Sequence, residues 1–323
     1  MDLNKLVSKI NQELLQLKVS DEPTELYEPI RYILDLGGKR LRPLLVILAY
    51  SLYKNDIEKV LKPAAAVEVF HNFTLVHDDI MDEAPLRRGK ATVHEKWNSN
   101  LAILSGDVML IKAYELFETV DDAVFKRVIK AFNVCAIEVC EGQQHDMNFE
   151  TNDVVTADEY MRMIRQKTAI LLGFSLELGG ILAGANKVDC KRLKEFGIDI
   201  GIGFQLKDDL LDVYAHKADF GKQVGGDIIA NKKTFLLIKA LENADVATKI
   251  TIEGWLKKEN FDKKEKVAAV KAIYDKLKIR YIAEEKTNEY FEKGFQSLED
   301  LAVNEERKNV LLTFTKNLIN RKK

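Results

Sequence analysis

Residues 188–214 read VDCKRLKEFGIDIGIGFQLKDDLLDVY. Apolar residues recur through this run at helical spacing and no proline interrupts it, so the pattern predicts one long helix over 188–214. The same period of 3.6 extends outward in both directions. Upstream, Leu3, Leu6, Val7, Ile10, Leu14 and Leu17 make one apolar face of a first helix. A second helix starts near Pro23 and Pro29 and ends at Gly37-Gly38, a plausible C-cap. Further helices are predicted over 42–53, 64–83, 101–119, 124–149 and 157–185, the last with a possible kink at Gly179-Gly180. Residues 86–90 read as a polar loop, and the glycine-rich stretch 216–227 as another. Downstream, residues 232–319 read as four more helices. No convincing alternating strand, repeat or low-complexity linker appears. The expectation is one all-α domain over 1–323, a bundle of ten or more helices around a central cavity.

Composition agrees. The 323 residues are 46% hydrophobic, enough for a large core, and only 5 prolines and 17 glycines leave room for long helices. With 49 basic against 51 acidic side chains, the charge lacks the excess a general nucleic-acid binder needs. The 3 cysteines, Cys135, Cys140 and Cys190, have no Cys-x-x-Cys spacing, so neither a disulfide framework nor a zinc site is expected. That points to a reducing cytoplasm. The first residues, MDLNKLVSKINQELLQL, are charged throughout and do not read as a signal peptide. Residues 168–185 are the most apolar stretch, but they carry Glu177 and several glycines and are barely long enough to cross a bilayer. A buried helix, and no membrane segment, is expected.

Two acidic clusters carry the chemistry. HNFTLVHDDIMDEAPLRRGK, residues 71–90, contains Asp78, Asp79 and Asp82 in the pattern Asp-Asp-x-x-Asp. On a helix, positions i and i+4 lie one above the other, so Asp78 and Asp82 would stand roughly 5–6 Å apart and repel. A divalent cation removes that cost, and Mg²⁺ favours a few carboxylates completed by phosphate oxygens and water. One such triplet is common on solvated helix ends. FQLKDDLLDVY repeats it with Asp208, Asp209 and Asp212, flanked by Ile202, Phe204, Leu206, Leu210, Leu211 and Val213. Carboxylates set so closely among core residues are hard to explain as solubilising surface. Two such pairs on two helices could face each other across a cavity and clamp a diphosphate through metal ions. Cations sit where a diphosphate would want them: Lys39, Arg40 and Arg42 in GGKRLRP, Arg87 and Arg88 beyond the first cluster, Lys167-Thr168 opening an apolar helix, Lys222 in GKQVGGD, and Lys232 in NKKTF.

GGKRLRP, HDDIMD with LRRG, GQQHD, QKTA, and FQLKDDLLD with GKQVGGD closely resemble, in the same order, the motifs of the trans-isoprenyl diphosphate synthases, or polyprenyl synthetases. The resemblance runs from Gly37 to Thr234, and the helical pattern on either side fits too. It implies that an allylic diphosphate (dimethylallyl, geranyl or farnesyl) ionises, isopentenyl diphosphate attacks it, and a proton is lost. It also implies three Mg²⁺ ions per active site and a homodimer. By the resemblance, Asp78 and Asp82 hold metal on the allylic diphosphate with Asp79 assisting, and Asp208 holds a further ion supported by Asp209 and Asp212. Arg87, Lys167 and Lys232 contact the allylic diphosphate, and Lys222 lies near it. Lys39, Arg42, His71 and Arg88 hold isopentenyl diphosphate. Thr168 and Gln205 stabilise the cation, and Gln143 and Asp146 line the same cavity. Ala91 stands where the family often has proline. The tail Arg321-Lys322-Lys323 resembles one that closes over the site in some members.

Rival readings are a long-chain polyprenyl synthase, a class I terpene cyclase, and a non-catalytic regulatory subunit. The cyclases have a different second metal motif, and regulatory subunits lose aspartates that this chain keeps. Product length is read from Phe73, five residues before Asp78 and so about 7.5 Å back along the helix. Relatives with one aromatic here and a small neighbour, as Phe73 has in Thr74, tend to stop at geranylgeranyl diphosphate. Farnesyl diphosphate is the next expectation.

Overall fold

The computed structural model describes residues 2–17, 19–215 and 224–320. His216, Lys222 and the tail 321–323 lie outside the described residues. The α-helices run Leu3–Leu15, Thr24–Asp35, Leu41–Ser51, Leu61–Met81, Val93–Lys96, Ser99–Phe117, Asp122–Thr151, Ala157–Ile164, Ile170–Ala183, Lys187–Tyr214, Gly226–Ile229, Phe235–Asn243, Val246–Lys257, Lys263–Lys276, Ile279–Glu299 and Glu305–Asn320. The all-α class is therefore as the periodicity predicts. No described helix is long and apolar enough to cross a membrane.

The chain divides into two compact units: Met1–Val134 with Phe174–Lys194 and Ala302–Leu311, and Cys135–Gly173 with Glu195–Leu301 and Leu312–Lys323.

In the first unit, the first half of Leu61–Met81 is buried nearly all round, including Ala64, Ala65, Ala66, Val67, Val69 and Phe70. A helix of that kind belongs in the middle of a core. Leu3–Leu15 packs against it, burying Leu6, Ile10 and Leu14. Each such side chain contributes about 1.5–3 kcal/mol of burial. Phe70, Phe117, Phe132 and Phe174 form an aromatic group whose neighbouring rings lie 4.9–6.3 Å apart. These edge-on and tilted contacts suit aromatic quadrupoles.

Two readings of the sequence change here. Residues 86–90 are not a simple loop. Leu86–Arg87 pairs antiparallel with Lys90–Ala91, and Arg88 and Gly89, at φ of 53° and 77°, make the turn. Two successive positive φ values are what a tight two-residue hairpin requires. Ala91 is held there, its carbonyl accepting from the Tyr32 hydroxyl at 2.8 Å. Gly179 is no kink: Ile170–Ala183 is continuous, and a Cβ at Gly179 would meet the Val46 carbonyl oxygen at 2.3 Å. The glycine serves close packing of two helix backbones.

Residues 232–319 form five helices rather than four. Two of the divisions are made by aspartates. Asp245 caps Val246–Lys257 by accepting from the Thr248 amide at 2.7 Å, and Asp262 caps Lys263–Lys276 through the Lys264 and Glu265 amides. The predicted helix over 157–185 is also interrupted. Arg165–Ala169 is a π-helical turn, and it carries Lys167 and Thr168. Such turns insert one extra residue and often mark functional positions.

Candidate active site

Each unit holds one acidic cluster, and each cluster is divided the same way. In the first, Asp78 lies half-buried in the last turn of the long helix, Asp82 is its exposed C-cap, and Asp79 is 1% exposed. One residue advances a helix by about 100°, which turns Asp79 away from Asp78 and into the core. Arg87 on the hairpin takes both oxygens of Asp79, Nε to Oδ2 at 2.7 Å and Nη2 to Oδ1 at 2.6 Å. The same guanidinium lies 3.7 Å from Asp78. Asp79, expected to assist at the metal, anchors Arg87 beside Asp78.

The residues expected to hold isopentenyl diphosphate lie around GGKRLRP. Gly37 and Gly38 have φ of 75° and 146°, and Arg88 donates to the Gly37 carbonyl. Glycine suits Gly38 because side chains rarely adopt its φ of 146°, and a Cβ there would stand 3.0 Å from the Arg88 guanidinium. Lys39 is exposed. Arg42 donates to His71, Nη1 to Nε2 at 3.0 Å, which requires that ring nitrogen to be unprotonated. Burial, then the charges of Arg42, Arg88, Arg87 and Arg40, hold the His71 imidazole well below its usual range. Histidine is therefore a neutral acceptor here that orients Arg42.

Arg40 departs from expectation. Its guanidinium is not offered to a diphosphate but buried, bonded to Glu68 at 2.8 Å, Asn11 at 2.9 Å and the Leu34 carbonyl at 3.0 Å. The pair Arg40–Glu68 was not legible as such, because Glu68 sits in an apolar run with no signal of a partner.

In the second unit, Asp208 is exposed, Asp212 half-buried and Asp209 3% exposed. The Tyr160 hydroxyl donates to Asp209 Oδ2 and Gln205 Nε2 donates to Oδ1 at 3.1 Å. Burial pushes the Asp209 carboxyl up to about 7, with those two hydrogen bonds pulling the other way. Tyr160 was missed by sequence reasoning. Its helix, Ala157–Ile164, is fixed by a capping box between Thr156 and Glu159, a pattern the sequence does carry. Asp212 accepts the Asp227 amide at 3.0 Å. Lys167 pairs with Asp146 at 2.6 Å. Gly142, opening GQQHD, lies where a Cβ would meet the Lys167 amide nitrogen at 2.2 Å, so that helix and the π turn approach backbone to backbone. Thr168 is half-buried and Lys232 exposed. Among the described residues, Gln143 Nε2 is buried without an acceptor.

Phe73 is 9% exposed, its ring 4.7 Å from the His77 ring and 5.6 Å from Phe70. The Thr74 hydroxyl turns back to the His71 carbonyl at 2.8 Å, leaving a small surface beside Phe73.

The donor set fits Mg²⁺. Among the described residues no three His, Cys, Asp or Glu side chains form a ready cage. Asp78 with Asp82 and Asp208 with Asp212 offer hard carboxylates at or near the surface, the kind of donor that would suit a Mg²⁺ completed by phosphate oxygens.

An all-α chain whose two Asp-Asp-x-x-Asp clusters lie with diphosphate-type cations has the features of a prenyltransferase. Comparison with known proteins gives the same class. The model of the polyprenyl synthetase family matches residues 23–276. The chain belongs to that family. It is 44% identical over 241 residues to the short chain isoprenyl diphosphate synthase of Methanocaldococcus jannaschii, covering 74% of this chain and 73% of the relative. It is 39% identical over 293 residues to the geranylgeranyl pyrophosphate synthase of Geoglobus acetivorans, covering 90% and 89%. A crystal structure of a geranylgeranyl pyrophosphate synthase superposes with a TM-score of 0.94 at 43% identity over 100% of both chains.

Proposed function

We propose that this protein is a trans-prenyltransferase that condenses isopentenyl diphosphate with an allylic diphosphate (dimethylallyl, geranyl or farnesyl) to give geranylgeranyl diphosphate, farnesyl diphosphate being the second choice. The single observation that carries it is the repeated division of the acidic clusters. In each, the middle aspartate is locked in the core by Arg87 or by Tyr160 and Gln205, and the outer two lie nearer the surface. Relatives named as geranylgeranyl diphosphate synthases support the product.

Asp78, Asp82 and Asp208 would hold Mg²⁺, which we count as three ions per active site and which would supply charge neutralisation at a departing diphosphate. Arg87, Lys167, Lys232 and Lys222 act on the allylic diphosphate. The Asp79 grip sets Arg87, and Asp146 sets Lys167. Lys39, Arg42 and Arg88 bind the diphosphate of isopentenyl diphosphate, with His71 orienting Arg42. Thr168 and Gln205 present dipoles to the allylic cation, in a region lined by Gln143 and Asp146. The whole chain, 1–323, acts as one prenyltransferase domain, as a homodimer in the cytoplasm.

Lys39→Ala and Arg42→Ala test the division of the two diphosphates. Each removes a charge-assisted contact worth roughly 1.5–3 kcal/mol, about ten- to a hundredfold in affinity. The loss should fall on isopentenyl diphosphate and spare the allylic substrate. Calorimetric titration in which only the allylic substrate weakened would reverse the assignment.

Phe73→Ala tests the product length. With Phe73 as the floor, opening it should lengthen the main product by at least one isoprene unit. The readout is chromatography of the dephosphorylated products. An unchanged distribution from an active, folded variant would place the floor elsewhere.

A further inference from the structure

Lys266 is 0% exposed, one of the largest fully buried side chains of the protein. A lysine so placed is unusual, because an ammonium taken out of water is costly unless its hydrogen bonds are replaced. Here the replacements are specific. Lys266 Nζ donates to Asn231 Oδ1 at 2.5 Å and reaches the Ile229 carbonyl at 3.4 Å. It also lies 4.1 Å from the centre of the Phe261 ring, a cation–π contact. Burial lowers its pKa, as expected of a desolvated ammonium.

Both acceptors belong to one short segment. Gly226–Ile229 is a single helical turn, followed by Asn231 in the left-handed region at φ 56° and then by Lys232. One end of the segment is tied to the second acidic cluster. The Gly225 amide donates to the Asp212 carbonyl at 2.7 Å, and the Asp227 amide to Asp212 Oδ2 at 3.0 Å. The other end carries Lys232, whose amide donates to the Asp227 carbonyl at 2.9 Å. The segment is also pressed onto the helix that bears Lys266, since a Cβ at Gly225 would stand 2.6 Å from Val267 Cγ2. Asn231 is pinned a second time, donating to the Leu256 carbonyl at 2.9 Å. Asp227, Asn231, Lys232 and Lys266 line one small cavity of about 10 Å³.

We infer that Lys266 is a positioning residue for the allylic diphosphate grip: its buried ammonium fixes the Gly226–Lys232 segment, and through it Lys232. A leucine or methionine would fill the same space without the desolvation cost, so packing alone does not account for lysine. The inference rests on the proposed role of Lys232 at the allylic diphosphate.

The test is a double-mutant cycle on the full-length enzyme with Mg²⁺, isopentenyl diphosphate and farnesyl diphosphate. Lys232→Ala alone checks the underlying reading. It should raise the allylic KM about ten- to a hundredfold, as loss of a charged hydrogen bond does. An unchanged KM there would overturn the role of Lys232, and with it the inference. Lys266→Met should raise the allylic KM about tenfold or more, because misplacing a binding group by an ångström costs up to about 10²-fold. The KM for isopentenyl diphosphate should stay within about twofold. The double variant should be little worse than Lys232→Ala, because residues acting through one group are not additive. Multiplicative effects, or a normal allylic KM in Lys266→Met beside an impaired Lys232→Ala, would show that Lys266 only packs. Should Lys266→Met not fold, Asn231→Gly keeps the left-handed backbone and removes the acceptor. It should then raise the allylic KM selectively, and a normal allylic KM in that variant would overturn the inference.

Discussion

Asp78→Ala and Asp208→Ala are each expected to lower turnover by at least about 10²–10³-fold while leaving the helical circular dichroism unchanged. The magnitude follows from removing one electrostatic stabiliser of developing charge, and a carboxylate whose loss also releases a metal ion should cost no less. The unchanged fold follows from exposure. Asp78 is half-buried and Asp208 exposed, so alanine leaves no cavity and no unpaired charge in the core. Asp79→Ala and Asp209→Ala should behave differently. They would strip the buried partners of Arg87 and Tyr160, and so lower stability as well as activity. Near-normal turnover in Asp78→Ala or Asp208→Ala, measured at saturating Mg²⁺, would refute the two-cluster account.

The second large effect concerns folding. Arg40→Met leaves Glu68 buried and charged, with side chains 4% and 3% exposed in the native pair. Breaking one side of such a pair typically costs about 3–5 kcal/mol. Urea denaturation should show that loss as a lowered midpoint. Replacing both partners, Arg40→Met with Glu68→Leu, should recover most of it, since a packed apolar pair of similar volume is often as stable. A single variant within about 1 kcal/mol of the parent protein would mean that Arg40 is not the anchor of the GGKRLRP turn. Arg40 lies between Lys39 and Arg42, in one short motif. The same run of charge thus divides between substrate and core, and only the partner Glu68 decides which.

That division explains what the sequence could and could not reveal. Helical periodicity and scarce proline made the all-α class readable, and the repeated Asp-Asp-x-x-Asp made both acidic clusters readable. Spacing alone does not tell which aspartate of a triplet turns into the core, because Arg87 and Tyr160, which hold Asp79 and Asp209, lie 8 and 49 positions away. A one-dimensional pattern does not pair such distances. The π turn at Arg165–Ala169 was hidden because one inserted residue barely disturbs an apolar run. Gly179 read as a kink because a helical glycine looks the same whether it bends its own helix or admits another backbone. The hairpin at Leu86–Ala91 has only two residues per strand, too few for alternation to register.

The most direct measurement is a product analysis. The purified chain is incubated with isopentenyl diphosphate, Mg²⁺ and, separately, dimethylallyl, geranyl or farnesyl diphosphate, and the products are dephosphorylated and separated by length. Condensation with an allylic primer, lost when the metal is chelated, and an end product of geranylgeranyl diphosphate is the predicted result. No condensation with any primer would contradict the account outright, and chains extended well beyond geranylgeranyl would contradict its assignment of Phe73 as the floor.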